Sequence, residues 1–133
     1  MDTGWQTYVD DNLIGSGHID HAGIYSFTDE VFWALSPGFS PSPEEMGVIV
    51  SIVKGDDDAK DTAFSEGLYV AGTRYILTRA EARSIYARSG RTGIAVAKTG
   101  RTVIVGHHPE TTLPGNANST VENLADHLIG KGY

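Results

Sequence analysis

Three groups of side chains in this sequence have types and spacings that could do chemistry. The first is His107-His108 with Glu110, a local acid–base cluster. Adjacent residues of a strand point to opposite faces, so these imidazoles are poorly placed to share one metal or substrate. No third ligand stands out, and they read as a strand-end pair near a turn. The second group is Asp56-Asp57-Asp58, clustered oxygens of the kind that hold calcium. The spacing and bidentate Glu of an EF-hand are missing, so Gly55 to Asp61 reads as an exposed loop. The third is a set of rings: Trp5, Tyr8, Trp33, His127 and Tyr133. Trp5 and Tyr8 lie one helical turn apart and share a face. Taken singly, Trp5 and Trp33 read as core residues and Tyr133 as a frayed end. Gathered in one groove, they would offer aromatic walls with polar tips. Those suit a polyproline helix, with its flat rings and unpaired carbonyls. Gly15-Ser16-Gly17 lacks the rest of a phosphate loop or nucleotide fingerprint. No serine elbow is present, and we find no catalytic constellation.

The elements that must position these groups are legible from periodicity. Residues 3–14 read as an amphipathic helix, with Trp5, Tyr8, Val9 and Leu13 on one face. Thr3 with Gln6 forms a candidate capping box, and Gly15 a candidate terminator. Residues 19–27 and 31–35 read as strands joined at Thr28-Asp29-Glu30. A Pro- and Ser-rich loop leads to a second helix start, with Ser42 as cap, Pro43 at the first position and Glu45 closing a capping box. From residue 66 the pattern becomes short strands with Gly-bearing turns, an antiparallel meander. A last helix carries the stripe Val121, Leu124, Ala125, Leu128 and Ile129, with Asn116 or Asn118 as its expected cap. The order predicts an α+β fold, an antiparallel sheet covered by helices.

The chain has 133 residues, which implies one domain over 1–133. With no cysteine, disulfides and thiolate metal sites are excluded. No apolar leader or membrane-length stretch is visible, which predicts a cytoplasmic protein. Asn118-Ser119-Thr120 matches a glycosylation acceptor but reads as an intracellular helix start. A net charge of −7 argues against general nucleic-acid binding. Charge is segregated, however. Residues 74–101 hold seven Arg and Lys against Glu81 alone. Such a stretch predicts a basic face for an acidic partner.

Several segments resemble the profilins. Gly4-Trp5-Gln6-Thr7-Tyr8-Val9-Asp10 is similar to their opening, and Val31-Phe32-Trp33-Ala34 to a family strand. Ser84-Ile85-Tyr86 with Arg88 and Gly93 resembles the middle strands of fungal and amoeboid members. Thr111-Thr112-Leu113-Pro114-Gly115 and Ala125-Asp126-His127-Leu128, ending in Gly132-Tyr133, resemble the last loop and the C-terminus. The resemblance spans both ends. It implies an antiparallel sheet with the terminal helices on one face and shorter helices on the other. It implies a cytoskeletal, non-enzymatic protein that needs no cofactor or metal. Its partners would be monomeric actin, proline-rich proteins such as formins and, weakly, phosphoinositides. Carried over by position, the proline-rich site is Trp5, Tyr8, Trp33, His127, Leu128 and Tyr133. The actin face is Phe64, Arg74, Arg79, Arg88, Gly115, Asn118, Ser119 and Glu122, with Arg74, Arg79 and Arg88 also meeting phosphoinositides. The acidic Gly55 to Asp61 stretch is more charged than the family pattern. The same build also fits a PAS-like or longin-like module, and the His107-His108 pair a small hydrolase.

Overall fold

The structure is a computed structural model and describes residues 4–133. Seven antiparallel strands form one sheet in the order β2-β1-β7-β6-β5-β4-β3. These are β1 His21–Ser26, β2 Val31–Leu35, β3 Leu68–Val70, β4 Thr73–Glu81, β5 Ser84–Ser89, β6 Thr92–Lys98 and β7 Thr102–His108. On one face lie α2 (Pro43–Val53) and α3 (Asp57–Glu66). Their Met46, Ile49 and Ala63 meet Tyr75, Leu77, Ile85, Val103 and Val105 of the sheet in one core. On the other face lie the N-terminal helix and α4 (Pro114–Gly130). Val9 and Leu13 of the first meet Val121, Leu124 and Leu128 of the second, over Ile24, Ala95 and Ile104. The two terminal helices therefore share one core, as their apolar stripes require.

Three local readings change. The N-terminal helix is not uniform: α1 (Gly4–Thr7) widens into a π-helix at Tyr8–Leu13 and tightens into a 3₁₀ turn at Ile14–Ser16. It ends at Gly17, whose φ of 81° needs glycine, and not at Gly15. The Thr3 half of the expected capping box lies outside the described residues. The Gln6 amide N–H group donates to the Leu35 carbonyl at 2.9 Å and to Asp10 at 3.1 Å, tying the helix to β2.

The acidic stretch from Gly55 to Asp61 is mostly helix. Asp56 accepts from the Ala59 N–H at 3.1 Å and caps α3, and Asp57 and Asp58 occupy its first turn. Carboxylates are favourable there because the free N–H groups carry positive potential. Finally, α4 begins earlier than expected. Leu113 is the cap residue and Pro114 takes the first position, so Asn116 and Asn118 lie inside the helix.

The Ser42–Glu45 capping box forms as read, and Glu45 does more than cap. Its carboxylate also accepts from the N–H groups of Ala71 and Gly72, at 2.8 and 2.9 Å. That two-residue β3–β4 turn has positive φ at both positions, 52° and 83°. Glu45 thus pins the hairpin, including its strained Ala71, to the start of α2.

Candidate binding surfaces

The rings named in the sequence come together. Trp5 sits at the centre, its ring centroid 4.6 Å from Trp33, 4.8 Å from Tyr133 and 5.8 Å from Tyr8. Tyr8 continues the strip to His127, at 5.6 Å between rings and 3.5 Å between hydroxyl and Nε2. Three elements supply them: the N-terminal helix, β2, and α4 with its tail. Trp5 and Trp33 are half-buried, so they are surface rings with packed backs and not core residues. Leu128 is fully buried in the core between the terminal helices and lies beneath the strip.

Tyr133 is anchored. Its N–H donates to the Leu128 carbonyl at 2.9 Å, and its carbonyl accepts from Thr99 Oγ1 at 3.0 Å. The Arg101 guanidinium lies 6.0 Å from its ring. Trp33 donates its indole N–H to Asp29 at 3.2 Å, whereas the Trp5 indole makes no hydrogen bond within the described chain. Asp29, Thr99, Arg101 and Gln6 support the strip but were not visible as such in the sequence. Thr99 and Arg101 reach Tyr133 across the fold, Asp29 acts from the turn just before β2, and Gln6 lies on the helix that carries Trp5.

The basic stretch divides on folding. In β4 and β5, Ile76 pairs with Arg88 and Arg79 with Tyr86. Alternation sets Arg74, Ile76 and Arg88 on the same sheet face as α4, and a β-bulge between Leu77 and Arg79 shifts the register so that Arg79 joins them, all four exposed. Arg74 donates to the Glu66 carbonyl at 2.8 Å, at the C-terminal end of α3, where a cation is favourable. That last stretch of α3 also carries Phe64, which is 49% exposed.

Arg83 is not part of this free charge. It reaches across to α4, bonding Glu122 at 2.9 Å and Asp126 at 2.7 Å. Burial works against its charge, but the two carboxylates outweigh burial and raise its pKa. Glu122 is held by Arg83 and also accepts from the Ser84 hydroxyl. Lys98 points to the other face of the sheet, over the Phe27 ring with Lys54. Near the start of α4, Gly115 and Ser119 are exposed and Asn118 is half-buried.

A buried pair underlies the basic face. His108 Nδ1 sits 2.9 Å from the Pro109 carbonyl, which can only accept, so Nδ1 carries the proton. Nε2 then accepts from the Tyr86 hydroxyl at 2.9 Å, with the rings nearly parallel at 6°. Burial raises the Tyr86 pKa, with Arg88 opposing. A side chain at Gly93 would lie 2.6 Å from both polar atoms, so only glycine fits opposite them. His107 points to the opposite sheet face and lies 2.5 Å from Asp20. The two histidines are thus separated by the sheet, each with its own partner. Among the described residues no group of three or more His, Asp or Glu could hold a metal, and no helix is long and apolar enough to cross a membrane.

The family model for profilin matches residues 3–133. The chain belongs to the profilin family. It is 45% identical to a profilin of Schizosaccharomyces pombe over 129 residues, covering 97% of this chain and 98% of that one. Among solved structures it is similar to Acanthamoeba castellanii profilin II, with a TM-score of 0.88 and 40% identity over 97% of this chain and 99% of the other. It is also similar, at 26% identity and a TM-score of 0.79, to mouse profilin IIa, solved in complex with a double repeat from the FH1 domain of mDia1. That match covers 98% of this chain and 99% of the mouse protein.

Proposed function

We propose that this chain, acting as a single domain over residues 1–133, regulates actin polymerisation by binding actin monomers and proline-rich segments on two separate surfaces. The observation that carries the reading is the aromatic strip. Rings from both ends of the chain and from β2 meet around Trp5, with Tyr8 and Tyr133 edge-on and Trp33 tilted, and the Trp5 indole N–H is unbonded within the described chain. A polyproline helix stacks its rings on such a strip and gives its carbonyls to the indole, phenol and imidazole donors. Trp5, Tyr8, Trp33, His127 and Tyr133 would touch the peptide. Leu128, buried beneath, would hold the floor. The relative solved with formin FH1 repeats supports a proline-rich partner of the formin type.

Actin would meet the second surface: Arg74, Arg79 and Arg88 with Phe64, and Gly115, Asn118 and Ser119 at the start of α4. Glu122 would act from behind, through Arg83. The protein works by binding, in the cytoplasm and on the cytoskeleton. Each member of its one acid–base candidate, His107-His108, is already committed to a structural partner. Phosphoinositides would share Arg74, Arg79 and Arg88, weakly, because the net charge of −7 repels an anionic membrane. Binding to phosphatidylinositol bisphosphate vesicles should therefore fade at physiological salt. The deciding experiment has two arms. Poly-L-proline should shift the tryptophan fluorescence, and pyrene-actin assembly should show suppressed nucleation. A null result in both arms refutes the reading.

A further inference from the structure

The face bearing α2 and α3 carries a groove of about 540 Å³ that shares no side chain with either surface described above. Its floor is made of small residues of α3, Ala59, Thr62 and Ala63, which recur at helical spacing and leave room above them. Its walls are Val48 of α2 and Tyr69 of β3, exposed by 44% and 49%. Large apolar side chains left this open, facing one concavity, mark a place where another surface can dock.

The rim has one sign. Glu44, Asp56, Asp58 and Glu66 line the groove, and no Lys, Arg or His does so. The carboxylates of Glu44, Asp58 and Glu66 have no partner among the described residues. The two nearby ammonium groups point elsewhere: Lys60 lies 4.0 Å from Asp57, and Lys54 sits over the Phe27 ring. Glu45 is committed inward, to Ser42 and the Ala71-Gly72 turn, and so fixes one wall. The Arg74 guanidinium, held on the Glu66 carbonyl beside Gly67, borders the Glu66 end of the rim from outside. The groove therefore has a set shape and a negative edge that is uncompensated at Glu44 and Asp58.

We propose that this groove is a third binding surface, for a basic peptide segment that inserts one Leu- or Phe-sized side chain between Val48 and Tyr69. Flanking Lys or Arg residues would pair with Glu44, Asp58 and Glu66. Charge complementarity selects this occupant. An acidic segment or a phosphate-bearing surface would meet only like charge, and a second copy of the same groove would repel it. The surface would leave the aromatic strip free and adjoin the basic face only at its Glu66 end, beside Arg74.

The test uses the full chain, labelled with nitrogen-15, and the capped peptide Lys-Lys-Arg-Leu-Phe-Arg-Lys-Lys. Amide shifts should move at Val48, Ala59, Thr62, Ala63 and Tyr69, with the aromatic strip unmoved. A peptide with Gly-Ser in place of Leu-Phe, or with Glu in place of each cation, should bind at least tenfold more weakly. Thr62→Trp, on an exposed position, should fill the groove and weaken binding at least tenfold while poly-L-proline binding is unchanged. The pair Glu44→Lys with Glu66→Lys should do the same by charge. Shifts confined to other surfaces, or equal binding of the acidic peptide, would overturn the proposal. So would concentration-dependent self-association, followed by sedimentation, that Thr62→Trp abolishes; the occupant would then be a second copy.

Discussion

The aromatic strip takes its rings from three distant stretches of chain, whereas the basic face takes most of its charge from one hairpin, β4 and β5. Trp5 and Tyr133 lie at opposite ends of the sequence yet only 4.8 Å apart. Their meeting depends on the core between the terminal helices. Arg79 and Arg88 share a face through strand pairing and one β-bulge between Leu77 and Arg79, all within a single hairpin. A site assembled by packing should be fragile to changes beneath it. A site assembled by register should tolerate them and respond to charge.

The largest expected effect tests that dependence. Leu128→Ala removes a fully buried side chain and should cost about 2–5 kcal/mol of stability, measured by chemical denaturation. Poly-L-proline affinity should fall more than actin affinity, because the floor of one site loosens. Equal losses would break the comparison.

Next comes the wall itself. Tyr133→Ala keeps the backbone bonds to Leu128 and Thr99 and removes only the ring. It should weaken poly-L-proline binding by about 1–3 kcal/mol and leave actin binding unchanged. Deleting Tyr133 also removes those two bonds, so it should add a small stability loss, read as a lower Tm. If the two variants bind alike and melt alike, the anchoring has no energetic content.

The basic face should show the reverse pattern. Arg88→Glu should weaken actin binding about tenfold or more, roughly 1.4 kcal/mol, with little change in Tm because the residue is exposed. Arg83→Gln should not match it in actin binding, since that cation is already spent on Glu122 and Asp126. Equal losses from both would mean that the face is wider than the exposed arginines.

The smallest effect concerns Glu45. Burial raises its pKa, but hydrogen bonds from Ser42, Gly72 and Ala71 outweigh burial and lower it. A carboxyl with a depressed folded pKa stabilises the fold above its unfolded value of about 4.5, and this is lost as pH falls through the folded value. Glu45→Gln should therefore cost about 1 kcal/mol at neutral pH. The gap from wild type should persist down to about pH 4.5 and close only below it, as the carboxylate protonates through its lowered folded value, which urea titrations across pH would show.

Local readings succeeded wherever a short pattern decides the outcome. Ser42, Pro43 and Glu45 announce α2 because the cap satisfies its own free backbone groups. The stripe from Val121 to Leu128 announces α4 by periodicity alone. The run Asp56-Asp57-Asp58 was misread because its composition suggests a solvated loop. The signal for α3 was present nonetheless: an Asp cap, acids in the first turn, and Ala59 with Ala63 one turn apart.

The residue types on each surface, and the segments carrying them, were determined by the sequence itself, because helix and strand periods act over a few residues. Which rings would touch was decided by the fold alone. Trp5 meets Trp33 and Tyr133 only because two helices pack on one sheet face and Gln6 ties the first helix to β2. The fold also decided which cations stay free. Charge in a sequence is a sum, but a field at a surface depends on what each charge faces. Arg83 faces two carboxylates some forty residues away in the chain, while Arg79 and Arg88, a few residues off, have no carboxylate partner among the described residues.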